Sequence, residues 1–265
     1  VILNIGNIID FSWVEKYEIP CVGICWQGGM ETGNAVADIL SGKVSPSGKL
    51  TDTIARSYEA YPTALNFGNK TKNHYEEDIY VGYRYFETFD KDVVLFPFGH
   101  GLSYGRFQLE APQFTEDEKH IDISLRVRNM KEGPAAKETV QIYYSIDNAS
   151  QPVPALQLAA FCKTEALGLN ESGDLRFQIK KAALACYDDS GLTGYRNAWV
   201  LQKGVYRFYA GFNVRDHVEI GSFEVAENRL MRQCAEVCAP KAEERLMRLR
   251  PIHTEKGVYR TYEPA

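Results

Sequence analysis

Between Tyr75 and Arg84 the chain gathers Glu76, Glu77, Asp78, Tyr83 and Arg84. Clustered carboxylates beside a phenol and a guanidinium have the equipment of general acid–base catalysis. The same groups build structural networks in which an arginine fork satisfies a carboxylate, and that use is the commoner one. Glu77 and Arg84 are therefore expected in a buried or domain-interface polar network, with shaping of a pocket ahead of proton transfer. A second constellation is Trp26-Gln27-Gly28-Gly29 with Glu31 just beyond it. Its indole offers a broad apolar face for stacking. Its glycines lack the spacing of a dinucleotide or P-loop phosphate cradle, so a nucleotide-binding α/β protein is a weak rival. His100, between Gly99 and Gly101, has the chemistry of a ligand or proton shuttle. Its neighbours suggest instead a tight turn whose imidazole bonds backbone groups.

The elements that must position these residues change character along the chain. Val1–Ile5 and Cys21–Trp26 are short apolar runs, and Ser12 is placed to cap a helix through Lys16. Met30, Ala35, Val36, Ile39 and Leu40 recur at helical spacing before Gly42. This predicts parallel β-α-β structure buried on both faces, the tail of a larger sheet. Residues 43–107 are broken by Pro and Gly but rich in Tyr and Phe, which predicts an ordered crossing segment, since disordered chains are poor in aromatics. From 108 the pattern alternates strictly: Ile121, Ile123, Leu125, Val127; then Val140, Ile142, Tyr144, Ile146; then Leu175, Phe177, Ile179. Tyr206, Phe208, Ala210 and Phe212 continue it, and Val218, Ile220, Phe223 and Val225 do so with one slip. Period-two alternation separated by turn residues reads as a β-sandwich. The fold class expected is thus α/β followed by all-β, divided as 1–107, 108–226 and a tail at 227–265. In that tail Leu230, Cys234, Val237 and Cys238 suit a short helix, and Arg245–Arg250 before Pro251 reads as a basic linker.

Composition narrows the partners. A 45% hydrophobic fraction supports real cores. A formal charge of −5 argues against nucleic acid, which needs a basic surface. No run approaches the roughly 20 apolar residues of a membrane span, and no leader is visible, which suggests a cytoplasmic location. The cysteines fall as Cys21/Cys25, Cys162, Cys186 and Cys234/Cys238. The C-x3-C spacing without nearby histidine is not a usual zinc knuckle, so they read as small buried hydrophobes, with no metal or other cofactor expected. Tyr143, Tyr144, Tyr206, Phe208 and Tyr209 have the chemistry of an aromatic sugar platform, but alternation sends half of them to the core.

Trp26–Gly42, Ser45-Pro-Ser-Gly-Lys-Leu50, Tyr75–Arg84 and Phe96–Tyr104 together resemble the carboxy-terminal part of family 3 glycoside hydrolases, the β-glucosidase and β-xylosidase group. In that family such blocks follow a parallel strand of the α/β-sandwich domain and lead into a fibronectin type III-like domain. Val140–Tyr144 and Gly204–Gly211 resemble strands of the latter. The chain departs from the family pattern at Thr51–Arg56 and at Leu156–Phe161. The resemblance covers roughly residues 1–226.

It implies a retaining β-glycosidase whose two catalytic carboxyl groups stand about 5–5.5 Å apart. The family's aspartate nucleophile and glutamate acid/base lie upstream of the match, and no residue here can be assigned to either. The expected role is therefore support and pocket wall, with Trp26, Glu31, Glu77 and Arg84 as substrate-pocket or interface candidates and sugar contact as one use of Trp26. The implied partners are a β-linked glycoside and the remaining enzyme domains. Some members have a permuted domain order, and Ala239-Pro-Lys with Arg245–Pro251 resembles a linker into a following barrel. A sheet cut before Val1 would expose an edge for homodimerisation. The rival reading is a non-catalytic carbohydrate-binding or interaction module.

Overall fold

The computed structural model describes residues 1–237, 247–255 and 257–264. Strand β1 (Ile2–Leu3), helix α1 (Ser12–Lys16), strand β2 (Gly23–Ile24) and helix α2 (Thr32–Leu40) follow in order. β1 and β2 pair in parallel, Ile2 opposite Gly23 and Leu3 opposite Ile24. Ser12 does not cap α1 but opens it, and its amide donates to Asp10 Oδ1 at 2.7 Å. α2 ends where Gly42 takes φ +77° and donates to the Ile39 carbonyl, the left-handed stop that glycine supplies. The burial expected on both faces is not found: Val1 and Ile2 are 55% and 45% exposed, and α2 buries none of its residues.

The crossing segment is ordered. β3 (Ile54–Ala55) precedes helix α3 (Tyr83–Phe89), and β4 (Val94–Phe96) returns antiparallel to β3. Ala55, Tyr80, Tyr85, Phe86 and Val94 form its core, with Tyr61 and Phe86 in edge contact at 5.5 Å. The Ser45–Leu50 and Phe96–Tyr104 blocks lock together through backbone: Leu50 donates to His100 O, and Gly99 to Leu50 O. Gly101 must be glycine, because a Cβ there would lie 2.2 Å from the Gly48 carbonyl oxygen.

The all-β part holds β5 (Phe107–Glu116), β6 (His120–Asn129), β7 (Thr139–Asp147), β8 (Gln157–Lys163), β9 (Ser172–Lys180), β10 (Cys186–Asp188), β11 (Ala198–Leu201), β12 (Gly204–Gly211), β13 (His217–Val225) and β14 (Arg229–Gln233). Sheet β5-β6-β9 faces sheet β13-β12-β7-β8, and β10-β11-β14 forms a third. The alternating residues of β6, β7, β9 and β12 fill one core between them. The slip in β13 is a bulge: Phe208 faces Gly221 and Tyr209 faces Glu219, leaving Ile220 unpaired. Gly221 then makes room for Phe114 of β5, whose ring a Cβ would meet at 2.3 Å.

The tail differs from the reading of the sequence. Leu230 lies in strand β14, not a helix, and Cys238 falls outside the described residues. The supposed basic linker is strand β15 (Met247–Thr254), paired antiparallel with β16 (Gly257–Pro264) from Met247–Pro264 to Thr254–Gly257.

Candidate functional site and interface

The carboxyl ends of β1 and β2 meet at Gly6 and Gln27. A Cβ on Gly6 would lie 2.9 Å from Gln27 Nε2, so the glutamine side chain covers that turn. Gly28 packs on Thr32 with equal economy, a Cβ there coming 2.4 Å from Thr32 Oγ1. Between them Trp26 holds φ +48°, a left-handed backbone that a bulky residue adopts only when its surroundings enforce it. Ligands of open α/β sheets bind at this strand edge. Glu31 stands exposed at the start of α2 and accepts from Asn34 Nδ2 at 2.6 Å.

Glu77 and Arg84 lie elsewhere, on the crossing segment. Among the described residues no hydrogen bond or ion pair joins either of them to Trp26 or Glu31, so the four candidates do not form one constellation. Nor do Glu77 and Arg84 pair with each other. Gly82, at φ +57°, turns the chain between them before α3 begins. Arg84 acts through its charge on the sandwich: burial pushes the Cys186 thiol up, with a Gln202 hydrogen bond and the Arg84 charge opposing it. Glu77 is 8% exposed, and its Oε2 is buried without a hydrogen-bond partner. Its neighbours are engaged: Asn66 donates to Glu76 Oε2 at 3.0 Å, and Arg250 holds Asp78 at 3.1 Å.

The interface network is carried by residues the sequence did not single out. Glu87, its side chain 2% exposed, accepts Arg215 Nε at 2.9 Å, while Arg215 also donates to the Lys91 carbonyl at 2.8 Å. Lys49 of the Gly-Lys-Leu block crosses to Glu138 at 2.8 Å and to Gly101 O at 3.2 Å, with both charged side chains nearly covered. Lys163 returns the link by donating to Ser47 O at 2.8 Å. The Tyr83 hydroxyl accepts the Leu158 amide at 2.9 Å, and its ring packs 4.6 Å from Phe98. Glu87 had one legible signal, a carboxylate inside the aromatic run of α3. Arg215 had none.

The remaining candidates resolve individually. His100 stacks on Phe96 at 5.5 Å rather than bonding backbone through its ring, and burial, then the Lys49 charge, lower its pKa. Tyr143, Tyr144, Tyr206 and Phe208 are buried, so they form no exposed platform. Cys21, Cys25, Cys162, Cys186 and Cys234 are free thiols; Cys21 is exposed and the others only partly buried, in contrast to the buried positions expected.

Comparison with known proteins places this architecture. Residues 1–104 match the glycosyl hydrolase family 3 C-terminal domain, and residues 138–214 a fibronectin type III-like domain. A β-glucosidase of Ruminococcus albus is 42% identical over 240 residues, 91% of this chain and 25% of that protein. β-Glucosidase A of Butyrivibrio fibrisolvens is 38% identical over 91% of this chain and 31% of its own length. The chain thus spans a quarter to a third of the relatives it matches. The crystal structure of a β-glucosidase from Paenibacillus barengoltzii superposes with a TM-score of 0.93 at 39% identity, over 100% of this chain and 30% of that one. Two matched domains in this order, on a fold that superposes throughout, identify the chain as a member of glycoside hydrolase family 3, comprising the family's C-terminal domain and its fibronectin type III-like domain.

Proposed function

We propose that this chain is the non-catalytic rear portion of a retaining β-glucosidase acting on terminal β-linked glucosides. Its work is to support the active site and to supply part of the wall, with Trp26 and Glu31 at the strand edge nearest a ligand. The observation that carries this reading is the employment of the clustered acids. Glu76 holds Asn66, Asp78 holds Arg250 and Glu87 holds Arg215. Retaining chemistry needs two carboxyl groups free to face a scissile bond about 5–5.5 Å apart. Here Glu76, Asp78 and Glu87 bind the protein to itself, Glu77 is buried away from solvent, and the β-glucosidases the chain matches are three to four times longer.

The test is complementation. The chain alone should not turn over an aryl β-glucoside, whereas a complete enzyme assembled with a family 3 barrel and the upstream half of the α/β domain should. No hydrolysis with well-folded partners would leave an interaction module. In the complete enzyme, Glu77→Gln should keep turnover within about tenfold; a loss above ~10³-fold without unfolding would assign Glu77 to catalysis.

A further inference from the structure

The β15–β16 hairpin lies outside both regions that match family models, yet it is anchored more closely than a linker requires. Leu249 is fully buried in the core of the crossing segment, among Tyr80, Tyr85 and Phe86. Its amide donates to Glu76 O at 2.7 Å. The next residue, Arg250, holds Asp78 Oδ2 at 3.1 Å. On the paired strand Arg260 reaches the Tyr85 hydroxyl, and Arg248 binds Asp189 in the loop after β10. That loop is itself tied by hydrogen bonds: the fully buried Asp188 carboxylate accepts from the amides of Ser190, Gly191 and Thr193 and from the Ser190 and Thr193 hydroxyls.

We propose that the hairpin is a clamp on the acidic segment. Leu249 and Arg250 anchor Glu76 and Asp78 on either side of Glu77, and Arg248 ties the same hairpin to the sandwich. The apolar anchor and the charged anchors act on different residues of one short segment, so the segment is held in orientation as well as in place. Pairing across the hairpin puts Leu249 opposite Tyr262 and Ile252 opposite Tyr259. Ile252, 46% exposed, lies on the opposite face from Leu249 and makes a control position. The clamp holds whether or not the complete protein hydrolyses glucosides, because it is a property of this chain.

Hydrogen exchange on the 265-residue chain tests it. Leu249→Ala should accelerate exchange of the Tyr80–Phe89 amides at least tenfold while leaving Val205–Gly211 of β12 within twofold, and Ile252→Ala should change neither. Arg250→Gln, Asp78→Asn and the double variant keep the test alive should Leu249→Ala fail to fold. Each single change should accelerate Tyr80–Phe89 severalfold, and the double no further than the worse single. Unchanged exchange in Tyr80–Phe89 overturns the proposal. Equal acceleration in Tyr80–Phe89 and β12 overturns it too, because the hairpin would then belong to one cooperative core.

Discussion

Replacing Arg215 with alanine should destabilise the chain through a group 128 residues away in sequence. The substitution strands Glu87, whose side chain is 2% exposed, leaving the Lys91 ammonium at 3.9 Å as its remaining ion pair among the described residues. Breaking one side of a buried ion pair costs about 3–5 kcal/mol, because the remaining charge is left desolvated. Two observations reduce that figure here: Arg215 is 34% exposed, and Lys91 stays nearby. A loss of about 2–3 kcal/mol is expected, which for units of this size lowers Tm by roughly 4–12 °C. Urea denaturation with Arg215→Ala, Glu87→Leu and the double variant measures it. Removing both partners leaves no stranded charge, so the double variant should recover part of the loss seen in Arg215→Ala. A single-variant effect below about 0.5 kcal/mol, the range of ordinary surface changes, would refute the reasoning. So would a double variant whose loss equals the sum of the singles.

His217 provides a pH test. It lies between the rings of Tyr209 and Tyr143, and burial, the largest influence, lowers its pKa below the ordinary 6.5. The unfolded chain then binds the proton more readily, so this contribution is complete above the ordinary value and is lost as pH falls toward the lowered one. His217→Gln should flatten the rise in urea midpoint across that window, and an unchanged slope would show that His217 does not carry it. The two-stranded β1–β2 sheet leaves each strand with an open edge, and Ile2 of β1 is 45% exposed; unpaired strand edges are templates for association. Sedimentation of the chain alone should show concentration-dependent self-association; a monomer at all accessible concentrations would oppose it.

How much of this was legible depended on the range of the interaction that decides each feature. Strands β6, β7, β9 and β12 bury one face each, so their register is written as alternation and could be read directly. Even the slip in β13 was visible, though only the structure shows that Ile220 is the extra residue and that Phe114 uses the space beside Gly221. The hairpin misled for a local reason. Met247, Leu249 and Pro251 do alternate with Arg248 and Arg250, but a cluster of basic residues ahead of a proline reads as a solvated linker. In a two-stranded ribbon both strands are edges, where proline is tolerated. Glu77 and Arg84 stand on either side of the turn that Gly82 makes before α3, and they are not bonded to each other. The true pairs, Glu87 with Arg215 and Lys49 with Glu138, join residues 128 and 89 positions apart across two parts of the fold, and no local pattern encodes that.

The Lys49 crossing bears on how such proteins can be recombined. Its ammonium bonds the start of the sandwich and the Gly101 turn together, while Lys163 reaches back to Ser47. A chimera cut between the two units would carry Glu138, Lys163 and Arg215 into a new host. That host must present a lysine, an open carbonyl and a carboxylate at the matching places, or bury unmatched charge. The exchangeable unit is therefore larger than either folded domain: it runs from the Ser45–Leu50 block through the end of the sandwich, and a graft that respects it transfers the joint along with the parts.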